Sequence, residues 1–127
     1  MRDYKLYHYA VIRLVLRVER EEFFNVGLII FCKRDRYIRF EYHLCPEKFR
    51  LMHTQAAYAD IVENLELHKR IAHGNPHCGP IALLDVPERF RWLTAVRSTI
   101  IQSSRSHPGK TENLDRTFDR LFDELVK

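Results

Sequence analysis

The chain has 127 residues, enough for one domain whose core needs neither a disulfide nor a metal. With 46% hydrophobic and 30% charged residues it has the composition of a folded domain, which excludes a disordered or low-complexity chain. The formal net charge of +4 is spread without a basic tail, too evenly for a dedicated nucleic-acid binder, and the longest apolar run, residues 26–32, is too short to span a bilayer. No signal peptide is expected, because the charged N-terminus is not followed by an uninterrupted apolar stretch. Cys32, Cys45 and Cys78 are an odd number without a CxxC pair and read as thiols. These features point to a single domain over residues 1–127 in the cytoplasm, with no membrane association.

Residues 5–17 are rich in aromatic and β-branched types and predict a long strand. Its period of two puts His8, Ala10, Ile12, Leu14 and Leu16 on an apolar core face. Tyr7, Tyr9, Val11, Arg13 and Val15 form the other face, read as partly covered or functional. After a charged connection at 19–22, residues 23–32 are apolar on both faces and predict a central strand. A polar turn at 33–36 leads to a half-exposed strand at 37–43, completing an antiparallel meander. Pro46 opens a short helix to Met52, and residues 56–73 follow as a longer one with Ala57, Ile61, Leu65, His68 and Ala72 on one stripe.

Residues 74–80 hold two Gly and two Pro and read as a loop, and Pro87 suits the first turn of a helix running to Val96, with Phe90 and Leu93 inward. Residues 98–103 predict a fourth strand leading into a Ser/His/Gly loop. The clearest helix is 112–126, where Leu114, Phe118, Leu121, Phe122 and Leu125 make one stripe and Thr111 is placed to cap it. The outer face of that helix, Asp115, Asp119 and Asp123, reads as solvated or as a docking surface for a basic partner. The fold class is α+β: an antiparallel sheet of about four strands in the order β-β-β-α-α-α-β-α, with helices mainly on one face.

Four arginines and Lys110 stand against the single acid Glu88 between residues 86 and 110. Arg97, Ser98, Gln102, Ser104, His107 and Gly109 form the first candidate constellation. Arginine pairs with phosphate or carboxylate, hydroxyls and loop amides complete an anion shell, and His107 titrates in the range a general acid or base needs. The alternative is a structural arginine leading into an ordinary loop. Ser98 and His107 make no nucleophilic site without a third group to orient the base. Tyr7, Tyr9, Arg13, Asn25 and Gly27 form the second. Asn25 and Gly27 interrupt an apolar strand, so Gly27 marks a bulge or close approach, while Asn25 serves either a ligand or nearby backbone. Tyrosines beside arginines on a sheet also resemble base-stacking faces, but no ribonucleoprotein motif accompanies them. His68, His73, His77 and Cys78 lack zinc-ligand spacing, and Glu19, Glu21 and Glu22 enclose Arg20, so neither group reads as a metal site and no cofactor is expected.

Tyr7-His-Tyr-Ala-Val-Ile-Arg13, Glu22-Phe-Phe-Asn-Val-Gly27 and Phe90-Arg-Trp-Leu-Thr-Ala-Val-Arg-Ser-Thr-Ile-Ile-Gln102, with His107 and Gly109, resemble the bacterial domain-of-unknown-function family 3037. The resemblance covers nearly the whole chain. It implies no established activity, but its members are often encoded beside a HipA-like kinase, which implies an accessory role in a toxin–antitoxin-like module. Two functional classes follow. The first is a non-catalytic partner of such a kinase, so that the chain reads as an enzyme less readily than as a binding protein. The second is an anion-site protein, a nucleotide or nucleic-acid binder or a phosphate-ester enzyme, using Arg13, Arg97, Gln102 and His107 with Tyr9, Asn25 and Ser98 nearby.

Overall fold

The computed structural model describes residues 3–17, 22–51, 57–95 and 100–127. In chain order these form β1 (Lys5–Arg17), β2 (Glu22–Cys32), β3 (Tyr37–Tyr42), α1 (Pro46–Arg50), α2 (Tyr58–Ala72), two 3-10 turns (Pro76–Cys78 and Pro80–Leu83), α3 (Val86–Leu93), β4 (Ile101–Ser103), β5 (His107–Thr111) and α4 (Leu114–Leu125). The strands lie in the order β3-β2-β1-β4, with β5 also paired to β1 and every pairing antiparallel, so the fold is α+β as expected.

β1 and β2 are apolar on both faces because both faces are covered. On one, Ala10, Ile12, Leu14, Val26 and Ile29 pack with Phe49 of α1, Ile61 and Leu65 of α2 and Phe90 and Leu93 of α3. On the other, Tyr7, Leu28, Ile30 and Cys32 pack under Leu114, Phe118 and Leu121 of α4. Helices therefore lie mainly on one face, and α4 alone closes the second. Tyr7 and Val11, on the half of β1 expected to be partly open, are 6% and 7% exposed. The acidic face of α4 is tied down too. Arg39 of β3 lies over the Phe118 ring at 4.2 Å and reaches Asp115 at 3.5 Å and Asp119 at 3.3 Å, while Tyr37 Oη donates to Asp115.

The predicted fourth strand and the loop after it become one interrupted edge. β4 pairs with Ile12–Leu14 and β5 with Lys5–Tyr9. At the break, Ser104 N–H donates to Val11 O at 2.8 Å, and Val11 N–H donates to Ser104 Oγ at 2.9 Å. A hydroxyl replaces the missing backbone acceptor, which explains why Ser104 is buried. Odd-numbered residues of β1 turn their backbone groups toward this edge, as the Val15 N–H to Ile100 O bond at 2.7 Å also shows. Pro108, opposite His8, consequently faces outward, where its lack of an N–H breaks no ladder bond and blunts the free edge. The Ser/His/Gly stretch looked like a loop because a proline-containing strand of this kind is legible only from its partner.

Gly27 sits at a register shift. Gly27 pairs with Ile12 and Asn25 with Arg13, leaving Val26 as the extra, bulged residue. A Cβ on Gly27 would lie 3.1 Å from Glu41 O and 3.2 Å from Ile12 Cβ, so the glycine serves close strand packing. At the start of α4 the cap is Asn113, whose side chain accepts from Arg116 N–H at 3.0 Å. Thr111, the expected cap, instead accepts from Asn113 N–H at 3.1 Å and from Thr117 Oγ1 at 2.6 Å, fixing the turn before the helix. α3 ends at Leu93 and Ala95 is exposed, and the expected helix end at Val96 lies outside the described residues, as do Met52, Ala56 and the acidic residues Glu19 and Glu21.

Candidate functional site

The register assembles part of the expected constellation and divides the rest. Arg13 pairs with Asn25 on one side and Gln102 on the other, so the three form one row across β2, β1 and β4. The Arg13 guanidinium lies over the Phe23 ring at 4.3 Å, and Phe23 faces Val15, so the side chain leans toward the far end of β1. Asn25 Nδ2 donates to Leu125 O at 3.0 Å, which ties the last turn of α4 to the sheet. That is a backbone role, though toward α4 rather than the strand's own neighbours. Among the described residues, Arg13 Nε and Asn25 Oδ1 are buried with no hydrogen-bond partner.

His107 lies elsewhere. It pairs with Tyr9, ring centroids 5.2 Å apart and tilted, on β5. Tyr9 is four residues from Arg13, about 13 Å along a strand, and Arg13 leans away from it. His107 is thus not within hydrogen-bond reach of the Arg13 row. Gly109 is required by Tyr7, whose ring occupies the space a Cβ on residue 109 would need. A tyrosine buried in this way presents no face on which a base can stack, while Tyr9 beside it is half-buried. Arg97 and Ser98 lie outside the described residues. Among the described residues, no three His, Cys, Asp or Glu side chains gather as metal ligands do.

The sequence pattern did not mark one apolar groove of the surface. α3 packs on β2 and β3, and the core-facing stripe of β1, with Tyr4 just before it, continues beside the helix. Tyr4 and Leu6 stand uncovered there, 51% and 53% exposed. Beside them His8 stacks on Phe31 (5.3 Å) and Phe31 packs against Phe90 (4.3 Å), making an aromatic floor for an open groove of about 990 Å³. Lys33 and Arg34 edge it from the β2–β3 turn, and Asp85, Glu88 and Arg91 from α3. Arg34 is held by Asp3 through two bonds of 2.7 and 2.6 Å. Another groove, about 1010 Å³ beneath α2, is edged by Asp60, Glu63 and Glu66 and is far more acidic.

Fold and surface together define a small α+β protein with a helix-flanked antiparallel sheet and, among the described residues, an aromatic groove beside α3 at the start of β1. The chain belongs to the family described as protein of unknown function (DUF3037), whose model matches residues 9–126. No curated protein and no solved structure matches it. No helix among the described residues is long and apolar enough to cross a membrane.

Proposed function

We propose that this is a non-catalytic accessory protein that docks a partner protein through the groove floored by Leu6, His8 and Phe31. The observation that carries the reading is the pair of half-exposed apolar side chains, Tyr4 and Leu6, continuous with an aromatic floor and bounded by charges of both signs. A fully solvated protein surface gains nothing from such a stripe, whereas interface centres are enriched in aromatic residues inside a polar rim. The partner class we propose, a HipA-like kinase in a bacterial cytoplasm, is what the family resemblance suggests. The test is native affinity purification of the wild type and of Leu6→Glu. Leu6 is opposite Lys110, so a glutamate there gains a cross-strand cation and leaves the fold intact by circular dichroism. A HipA-like kinase recovered in stoichiometric amount by the wild type, and reduced about tenfold or more by the variant, is the expected result. A lone protein carrying nucleotide or nucleic acid overturns it.

That second outcome is the mark of the other reading, an anion-site protein using Arg13, Asn25 and Gln102 with Arg97. What supports it is the buried, unpartnered pair Arg13 Nε and Asn25 Oδ1 on one row of the sheet. The separation of His107 from that row argues against general acid–base chemistry there.

A further inference from the structure

α2 does more than cover one face of the sheet. Glu66, Lys69 and His73 are spaced three and four residues apart, one stripe of the helix and its C-terminal cap. Each meets a successive residue of β3. Tyr42 Oη donates to Glu66 Oε2 at 2.7 Å, Lys69 Nζ pairs with Glu41 Oε2 at 3.1 Å, and Phe40 N–H donates to His73 Nε2 at 3.2 Å. Among the described residues β3 is an edge strand, paired only with β2, so the Phe40 amide is one that a neighbouring strand would otherwise take. The third contact differs from the others in kind, because the acceptor is a lone pair that a single proton removes.

The geometry points to a pH-released clasp: neutral His73 closes the β3 edge, and a proton on Nε2 opens it at Phe40. The groups around the imidazole come from three elements. Glu41 and Arg39 act on it by charge from β3, Lys69 from α2 and Arg89 from α3, although the Arg39 guanidinium itself lies on the α4 face. Glu41 favours the charged ring, as does the negative end of α2. Burial of the ring, reinforced by the three cations, outweighs them and holds His73 below its ordinary 6.5. Beyond the clasp, Gly74 takes φ +75°, and the Arg89 guanidinium occupies the space that a Cβ there would fill.

Hydrogen exchange on the full chain, corrected for intrinsic rates, tests this at about pH 5 and about pH 7.5. Protection of the Phe40 amide should fall about tenfold or more at the lower pH, while the β1–β2 ladder keeps its protection. His73→Gln supplies an acceptor that does not titrate and should hold Phe40 equally at both values. Equal protection of Phe40 at both values in the wild type overturns the clasp, and so does a fall that persists undiminished in His73→Gln. If that variant does not fold, the His73 ring titration in the wild type decides. A midpoint below 6.5 that coincides with the Phe40 amide shift is expected, and a Phe40 amide that does not follow the ring overturns the proposal. None of these readouts involves the aromatic groove, so their outcome is independent of the docking function.

Discussion

Ser104 shows what one hydroxyl does in this sheet. It closes the gap between β4 and β5 by accepting the Val11 amide at 2.9 Å in a buried setting. Ser104→Ala leaves that amide without an acceptor, and urea unfolding should report a loss of about 1–3 kcal/mol; a change below about 0.5 kcal/mol would show that water or a backbone shift replaces the hydroxyl. Gly109 and Asn25 make the same point from other directions. Both stood out in the sequence, one as a glycine in a polar stretch and one as an amide in an apolar strand. Their explanations are Tyr7 and Leu125, residues about a hundred positions away in the chain. A residue's oddity is visible locally, but its partner is not, because the sheet pairs segments whose sequence separation carries no information about contact.

The elements were more legible than their ends. β1 and the stripe of α4 follow directly from periods of two and 3.6, and β2 from an apolar run on both faces, since each buries continuous apolar surface. Caps depend on backbone angles that the pattern leaves open, and two hydroxyl- or amide-bearing residues competed before α4. Asn113, not Thr111, holds the Arg116 amide. Asn113→Ala should cost about 1 kcal/mol, whereas Asn113→Asp should be nearly neutral, since aspartate caps as well and favours the positive end of the helix. Equal losses for both in thermal or urea unfolding would place the role of Asn113 outside the cap. The aromatic groove also arises at this scale, where α3, packed on β2 and β3, leaves the start of β1 uncovered.

Across the whole molecule, two tyrosines of β3 pin helices on opposite sides of the sheet. Tyr37 is pushed up to about 12 by burial and then by its bond to Asp115 on α4. Tyr42 is pushed up to about 12 first by its bond to Glu66 on α2 and then by burial. A phenol whose pKa is raised in the folded state contributes stability that is whole below the ordinary value of 10 and is lost as pH rises toward 12. Unfolding free energy should therefore decline between those values, and Tyr37→Phe with Tyr42→Phe should flatten the decline; an unchanged slope in the double variant would assign it to other groups. On the acid side the sign reverses: His73 is held below its ordinary 6.5 in the folded chain, so its contribution is whole above 6.5 and is lost as pH drops from that value through the lower folded one.

By itself the sequence determined the α+β class, the meander of β1 to β3, the two-sided apolar strand β2 and the amphipathic stripe of α4, because burial is written in periodicity. It also singled out Arg13, Asn25 and Gln102, which register then set in a row. Only the tertiary structure decided that His107 stands apart from them and that β5 is a strand. It alone set α2 over the free edge of β3 and left Tyr4 and Leu6 uncovered. Those outcomes depend on register and on which elements pack together, and both are properties of contacts between distant segments rather than of any one segment's pattern.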